Sequence, residues 1–420
     1  MTRQRPLLLL AIVILGAIAV LLGPASLAQQ GSPSNTRPPG TNYKAPAFTF
    51  NKIADGVYHA VGTGSLVVMS NATIVEGDRD VLVVDSHVSP GGAWALREEL
   101  KAITPKPIRW VVNSHYHFDH SHGNQIYGPE VEIIGHEFAR QQILAGKSQD
   151  SPAREFFVGG VPNTIKTLEG RLAAAKDDKE RATVQNLLDI QRNHLEGTNA
   201  VKPTPPTLTL TQTMTLHRGA REIRILFLGR GHTAGDVVVY LPKERVVATG
   251  DLLVEGTSYM GDAFFTEWIQ TIETLKQLDF DTVLPGHGNA FKGKAKLDHW
   301  QAYVRDFWEQ AQKFHKAGTP WEEAAKLVDL RGNAANYPAI RAPGITPNHA
   351  MRRAYEILDG KVKYGSGIRD QGSGIGDQGL RRREFTRRGI SRGELERADA
   401  ETYRQIERRP DRASLRAACA

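Results

Sequence analysis

The chain has 420 residues but a single cysteine, Cys419. A disulfide bond within the chain is therefore excluded, and so is a metal site or iron–sulfur cluster that needs several cysteines. A sizeable net positive charge is also lacking outside the last segment. Residues 361–420 contain 15 lysines and arginines against 9 acidic residues, whereas the first 360 residues are close to neutral. Because a nucleic-acid groove needs basic residues clustered on a folded surface, no such groove is expected before residue 361.

The overall composition is that of a globular protein. Apolar residues make up 40% of the chain and charged residues 24%, which excludes a wholly disordered or collagen-like protein. At roughly 150 residues per domain, the length allows two or three domains and one large core.

Residues 1–28 have the pattern of a secretory signal peptide. Two arginines precede the uncharged run from Leu7 to Gly23, and small residues lead up to Ala28. An uncleaved membrane anchor is the alternative, because a run of this length is close to the shortest that spans a bilayer. Residues 29–45 are rich in Gln, Ser, Pro, Gly and Asn, which predicts a flexible leader. We expect an exported protein, periplasmic or secreted, that meets the membrane only if the N-terminal segment stays uncleaved.

The body of the chain alternates short apolar runs with helical patterns. This alternation predicts a layered α/β domain over residues 46–300. Within that domain, residues 137–205 have helical spacing and a charged middle, which predicts a helical insertion. Residues 301–360 are predicted to form C-terminal helices. Residues 361–420 contain the repeat GSGIRDQ–GSGIGDQ followed by many arginines, which predicts a disordered Gly- and Arg-rich tail.

The densest group of polar side chains is HYHFDH at residues 115–120, directly after the predicted strand IRWVV. In an extended loop, residues i and i+2 point the same way, so His115 and His117 can bind one ion together. Asp119 and His120 lie just beyond, at the start of a predicted helix, and can face a second ion. Imidazole and carboxylate groups suit a divalent cation, and zinc first among them.

Three more polar residues follow predicted strands, each directly after a glycine. They are His232 in GHTAGD, Asp251 in ATGD and His287 in PGHG. Taken singly, each is typical of an ordinary turn. Because open α/β sheets place their sites at strand ends, we expect these three residues to meet the HYHFDH loop and complete a set of seven ligands.

The order and context of these motifs over residues 50–300 resemble the metallo-β-lactamase fold superfamily. The resemblance implies a four-layer αββα sandwich and a centre of two zinc ions. The implied ligands are His115, His117 and His232 for the first ion, Asp119, His120 and His287 for the second, and Asp251 bridging the two as in glyoxalase-II-like members. Asp85, at the end of the predicted strand DVLVVD, matches an acidic residue of the family and is expected to orient a ligand from behind.

The resemblance also implies a hydrolase. Two cations close together can share a water molecule and lower its pKa from ~15.7 towards ~7, which supplies hydroxide at neutral pH. The expected reaction is cleavage of an ester-like bond in a small molecule, such as a thioester or a lactone, with a phosphoester less favoured. Asp119 and Asp251 are the predicted catalytic residues, and Asp119 can also relay a proton. No nucleic-acid partner is expected.

Three other functions remain open from the sequence. A true class B β-lactamase is the first, although the best-known subclass has a cysteine where this chain has Asp251. Iron-dependent redox chemistry on a similar scaffold is the second. The third is a metal-dependent scaffold whose arginine-rich tail binds anionic lipid or nucleic acid.

Two features near the motifs have more than one interpretation. The apolar stretch Tyr259–Phe265 either walls a substrate pocket or packs against the following helix. His87 and His122 flank the predicted ligands, and we interpret both as structural histidines.

Overall fold

The structure, a computed structural model, describes residues 36–362. The predicted signal peptide, the first part of the leader and the tail from residue 363 onward lie outside the described residues. Within the described part of the chain, no helix combines the length and apolar character needed to cross a membrane.

Two β-sheets form the centre of the molecule. The first has seven strands in chain order, antiparallel from the first to the fourth strand and parallel from the fourth to the seventh. Its strands are β1 (Phe48–Ala54), β2 (Val57–Gly62), β3 (Ala72–Glu76), β4 (Val81–Val84), β5 (Ile108–Val112), β6 (Glu132–His136) and β7 (Leu208–Leu210).

The second sheet has six strands, and strands that are consecutive in the chain are neighbours in the sheet. They are β8 (Thr213–Arg218), β9 (Arg221–Phe227), β10 (Val237–Leu241), β11 (Val246–Gly250), β12 (Thr282–Pro285) and β13 (Phe291–Lys292). All neighbouring strands are antiparallel except β11 and β12, which are parallel.

The α-helices lie outside the sheets or follow them in the chain. They are α1 (Pro90–Leu100), α2 (Phe118–Ser121), α3 (Glu137–Leu144), α4 (Pro152–Val158), α5 (Val161–Ala173), α6 (Asp178–Asn199), α7 (Phe265–Lys276), α8 (Ala295–Lys316), α9 (Trp321–Leu327) and α10 (His349–Leu358). Ser89, Ser151 and Asp177 accept backbone N–H bonds at the starts of α1, α4 and α6, which satisfies donors that a helix leaves unpaired.

The sheets pack face to face between two helical layers. Val112 and Ile134 of the first sheet share a core with Ile225 and Val239 of the second. The runs VLVV in β4 and VVVYL in β10 are buried along their whole length because both faces of each strand are covered. Leu96 of α1 packs on the outer face of the first sheet, and large aromatic residues of α7 and α8 pack on the second. The predicted αββα sandwich is confirmed.

Four helices, α3 to α6, lie between β6 and β7, where the sequence predicts an insertion. A short turn joins α5 to α6, and these two helices pack together through Leu168, Val184 and Leu188. In contrast, α4 packs towards the HYHFDH loop, because Ala153 and Val158 share an apolar cluster with Phe118. Within this insertion, α4 therefore contacts the predicted site, whereas α5 and α6 pack against each other. After β13, α8 runs through residue 300, and α9 and α10 pack against it.

Candidate metal centre

The seven predicted ligands converge at one edge of the sandwich. They stand in the segments that follow β5, β9, β11 and β12, with Asp119 and His120 in the short helix α2. Six of them are buried, and His287 is partly exposed. Potential ligand atoms lie within 4.8 Å of one another in three overlapping groups. The groups are His115 with His117 and His232, His115 with His120 and Asp251, and Asp119 with His120 and His287.

The first group consists of three histidines whose rings contact one another. Nδ1 of His117 lies 3.0 Å from Nε2 of His232. The ring centre of His115 lies 4.6 Å from that of His117 and 4.8 Å from that of His232. Nε2 of His115 is buried and has no hydrogen-bond partner among the described residues. Since buried polar atoms in folded proteins almost always have a partner, this nitrogen fits a metal ligand.

The second group joins one carboxylate to two histidines. Oδ2 of Asp119 lies 3.4 Å from Nε2 of His120 and 3.3 Å from Nε2 of His287. The two Nε2 atoms lie 3.4 Å from each other. Three potential donors within this distance can bind one ion of the size of zinc after small shifts, because zinc–ligand bonds are about 2.0–2.2 Å long.

Asp251 lies between the two groups. Its Oδ2 is 3.2 Å from Nε2 of His287 and 3.7 Å from Nε2 of His232, while its Oδ1 is 3.4 Å from Nε2 of His120. The backbone of Gly286 passes so close that a Cβ there would lie 2.3 Å from Oδ1 of Asp251. The glycine before His287 therefore makes room for this carboxylate.

Asp85 lies directly behind the second group. Its Oδ2 is 2.8 Å from Nδ1 of His120, and the same carboxylate accepts hydrogen bonds from the backbone and hydroxyl of Ser114 at 2.7 and 2.9 Å. A proton held on Nδ1 of His120 leaves Nε2 to face the candidate ion position.

Burial sets the charge of two histidines in the first group. It lowers the pKa of His232 to about 3. Burial, followed by the charges of neighbouring histidines, holds the pKa of His115 well below its ordinary value. Both rings are therefore neutral at pH 7, which is the form that binds a metal.

The carboxylates of the site are anionic. Burial alone would raise the pKa of Asp119 and Asp251, but His120 and His287 outweigh it and hold both values well below the ordinary one. Burial alone would lower the pKa of His120, but the surrounding carboxylates, Asp119 foremost, raise it well above 6.5. The carboxylates thus favour positive charge at this position, which a proton on His120 supplies in the metal-free protein and which a bound cation would supply in its place.

Two residues that contact the predicted ligands were missed by the sequence analysis. Oδ2 of Asp262 lies 3.0 Å from Nε2 of His117, and Oγ of Ser258 lies 3.2 Å from Nδ1 of His232. The one available signal was an aspartate inside the otherwise apolar stretch Tyr259–Phe265. In the structure, the first two residues of that stretch line a cleft and Phe265 packs in the core. That the cleft binds substrate stays a prediction.

The cleft opens beside the predicted ligands, four of which line it: His117, Asp119, Asp251 and His287. Much of its wall is apolar, with Phe118 near the ligands, Phe157 from α4, and Ile345 and Pro347 from the segment before α10. Among residues 36–362, no lysine or arginine lines it. His87 lies outside the lining and is buried, with Nδ1 3.0 Å from the carbonyl of Ser70. Like His87, His122 is buried and outside the lining.

The chain matches the sequence profile of the Metallo-beta-lactamase superfamily over residues 66–287, and it belongs to that superfamily. The predicted family is thereby confirmed. Members of the superfamily typically bind zinc, and those that are alkylsulfatases and β-lactamases are hydrolases.

Two curated relatives are similar over more than half of the chain. The alpha subunit of 2,4-dinitroanisole O-demethylase from Nocardioides sp. (strain JS1661) is 26% identical over 239 residues, which are 56% of this chain and 54% of that protein. A linear primary-alkylsulfatase from Pseudomonas sp. (strain ATCC 19151) is 22% identical over 302 residues, or 67% of this chain and 54% of that protein. The chain thus corresponds to about half the length of either relative.

A solved structure with the same fold is the stereoselective inverting sec-alkylsulfatase Pisa1 from Pseudomonas sp.. It superposes with a TM-score of 0.54 at 18% identity, covering 74% of this chain and 50% of that one. At this identity the similarity concerns the fold.

Proposed function

We propose that the protein is an exported hydrolase that uses two zinc ions to cleave an ester-like bond. The observation that carries the proposal is the position of Asp251, whose two carboxylate oxygens lie within 3.7 Å of nitrogen atoms from both ligand groups. One carboxylate between two sets of nitrogen and oxygen donors is the arrangement expected of a ligand that bridges two ions.

The residues fit two divalent cations. Each group offers three protein ligands besides Asp251, which leaves coordination positions open for water and substrate. When bound, such a pair supplies Lewis acidity and lowers the pKa of water from ~15.7 towards ~7. The protein's own contribution is to hold the rings in place. Asp85 fixes the proton of His120 on Nδ1, and Oδ2 of Asp119 is held beside Nε2 of His120 and Nε2 of His287.

The cleft favours a substrate with an uncharged, apolar group beside the scissile bond. A carboxylate placed in the cleft away from the proposed ions would lose its hydration without compensation, because no lysine or arginine lines this cleft among residues 36–362. β-Lactam antibiotics carry a carboxylate, so the lining favours a neutral ester, thioester or lactone over a β-lactam. The similarity to an alkylsulfatase supports including sulfate esters of apolar alcohols, whose one charged group is at the scissile bond and would face the proposed ions.

A hydrolysis screen tests the proposal. Purified protein would be offered an aryl ester, a thioester, a lactone, an alkyl sulfate and a chromogenic cephalosporin, with and without a chelator. We expect turnover of at least one ester-like substrate, its loss with chelator and its recovery with added zinc. Asp251→Ala should be inactive, whereas Asp55→Ala, which truncates a fully exposed carboxylate, should be unaffected.

The outcomes of this screen separate the candidate functions. Full activity of Asp251→Ala, or turnover that no chelator affects, would contradict the proposed function. Preference for the cephalosporin would establish the β-lactamase alternative in its place. Iron in the purified protein together with oxygen consumption would establish the redox alternative.

Export is tested by the N-terminus of the mature protein, which should begin at Gln29. An intact N-terminal segment in the membrane fraction would support an anchor.

A further inference from the structure

The imidazole of His117 is held from behind by a carboxylate that belongs to none of the four motifs. Nε2 of His117 lies 3.0 Å from Oδ2 of Asp262, and Nδ1 of the same ring faces His232. When Nε2–H donates to Asp262, Nδ1 is left unprotonated and directed at the first ligand group. Carboxylates in this position fix the orientation and tautomer of a histidine ligand and raise its basicity.

The backbone at Asp262 is itself fixed by Arg353. Nε of Arg353 donates to the carbonyl of Ala263 at 2.9 Å, and Nη2 donates to the carbonyl of Asp262 at 3.4 Å. The guanidinium also lies 4.8 Å from the ring centre of Phe264. One planar, multidentate side chain thus clamps three consecutive residues of the loop.

Arg353 stands on α10, which lies beyond residue 287, where the superfamily match ends. Ala350, Met351 and Ala354 bury the inner face of this helix in the core shared with α8. The helix is therefore firmly packed. It belongs to the part of the chain outside the superfamily match, and it is connected to the predicted ligand His117 through Arg353 and Asp262.

We propose that Asp262 and Arg353 form a brace that orients His117 and strengthens binding of the ion held by His115, His117 and His232. Both are positioning residues, because Arg353 acts through Asp262 and Asp262 acts through His117. The inference rests on the proposed function, since it requires an ion at that group. The loop does not depend on the brace for its packing, because Ala263 and Phe265 are buried in the core on their own account.

The test is a titration of the metal-free protein with Co²⁺ and with Zn²⁺, followed by affinity and by the visible absorption bands of bound cobalt. We expect Asp262→Ala to weaken the first site by roughly 10–100-fold and to shift the cobalt bands. Asp262→Asn retains an oxygen that can accept from Nε2 and should lose less. Arg353→Ala should weaken the same site by a smaller factor, and Arg353→Lys should restore part of the loss.

Arg352→Ala is the matched control. Arg352 neighbours Arg353 on α10 but pairs with Glu356 at 2.9 Å, so its removal should leave both affinity and spectrum unchanged. Wild-type affinity and spectrum in Asp262→Ala and Asp262→Asn would overturn the brace and leave the proposed function standing. Equal weakening by Arg352→Ala would also overturn the brace. A wild-type protein that binds neither cobalt nor zinc would instead overturn the proposed function, and the inference with it.

Discussion

Oδ2 of Asp85 lies 2.8 Å from Nδ1 of His120, and both side chains are buried. Asp85 adopts a left-handed backbone conformation with φ of 69°, which aspartate and asparagine tolerate better than most residues. Asp85→Asn should therefore fold while losing the charge that faces the ring. We expect the second ion, at Asp119, His120 and His287, to bind roughly 10–100-fold more weakly.

Zinc titration of metal-free Asp85→Asn measures this effect, with Asp55→Asn as the control at an exposed carboxylate. An unchanged affinity for both ions would show that Asp85 supports the backbone of Ser114 and does not act on His120.

A second prediction concerns the substitution of Gly286, which should disrupt the metal site and leave the fold intact. A Cβ on Gly286 would lie 2.3 Å from Oδ1 of Asp251 and 2.9 Å from Cε1 of His120. Gly286→Ala should displace the carboxylate, so that bound zinc falls below two per chain and turnover is lost. Metal analysis and an activity assay check this outcome.

Gly170→Ala is the control, because a Cβ there meets nothing within 4 Å. Gly170 lies near the end of α5, so this change should stabilise the protein by about 0.5–1 kcal/mol and leave zinc binding intact. Two zinc ions in Gly286→Ala would contradict the geometry described for Asp251.

Substitution of Phe157 tests whether the cleft binds the apolar group of the substrate. Its ring lies 6.4 Å from that of Phe118 and 6.3 Å from that of Tyr259, at the wall nearest α4. Phe157→Ala should lower kcat/KM roughly tenfold for an ester with a large apolar group and change it little for the matching acetate ester. The exposed neighbour Phe156 provides the control, and equal effects of Phe156→Ala and Phe157→Ala would contradict the assignment.

A further prediction concerns His136 and the dependence of the free energy of unfolding on pH. Its Nδ1 accepts the backbone N–H of Phe138 at 3.0 Å and so caps α3, and burial lowers its pKa to about 4. Because the folded pKa lies below the unfolded value of about 6.5, the stabilisation is complete above pH 6.5 and is lost as the pH falls from 6.5 to about 4. The loss attributable to this residue is roughly 3 kcal/mol.

Asparagine caps a helix without titrating. The free energy of unfolding of His136→Asn, measured in urea at pH 7.5 and pH 4.5, should therefore fall less than that of the wild type. His217→Asn, on the exposed strand β8, should behave like the wild type. Equal losses in His136→Asn and the wild type would show that His136 does not contribute.

The sequence was sufficient to predict the layered fold and the convergence of seven side chains, because the motif residues directly follow apolar strands whose ends meet at one edge. It was less informative where position depends on the path of a loop. The apolar run SLVVMSNATIVEG, for example, forms a strand only from Ala72 onward, and Met69 within it has a left-handed backbone with φ of 64°.

The contact between Asp262 and His117 could not be predicted for the same reason. The two residues are 145 positions apart, and no spacing rule connects a loop aspartate with a particular ring nitrogen. The cleft wall likewise combines α4 with the irregular segment before α10, and nothing in the sequence of either one indicates the site that it faces.

Counting the zinc bound per chain tests the central claim most directly. After metal-free protein is saturated with zinc and freed of excess, we expect two ions in the wild type and one in each of His232→Ala and His287→Ala, because each change removes a ligand from a different group. Fewer than two ions in the wild type, or two ions retained in both variants, would contradict a centre built from these seven side chains.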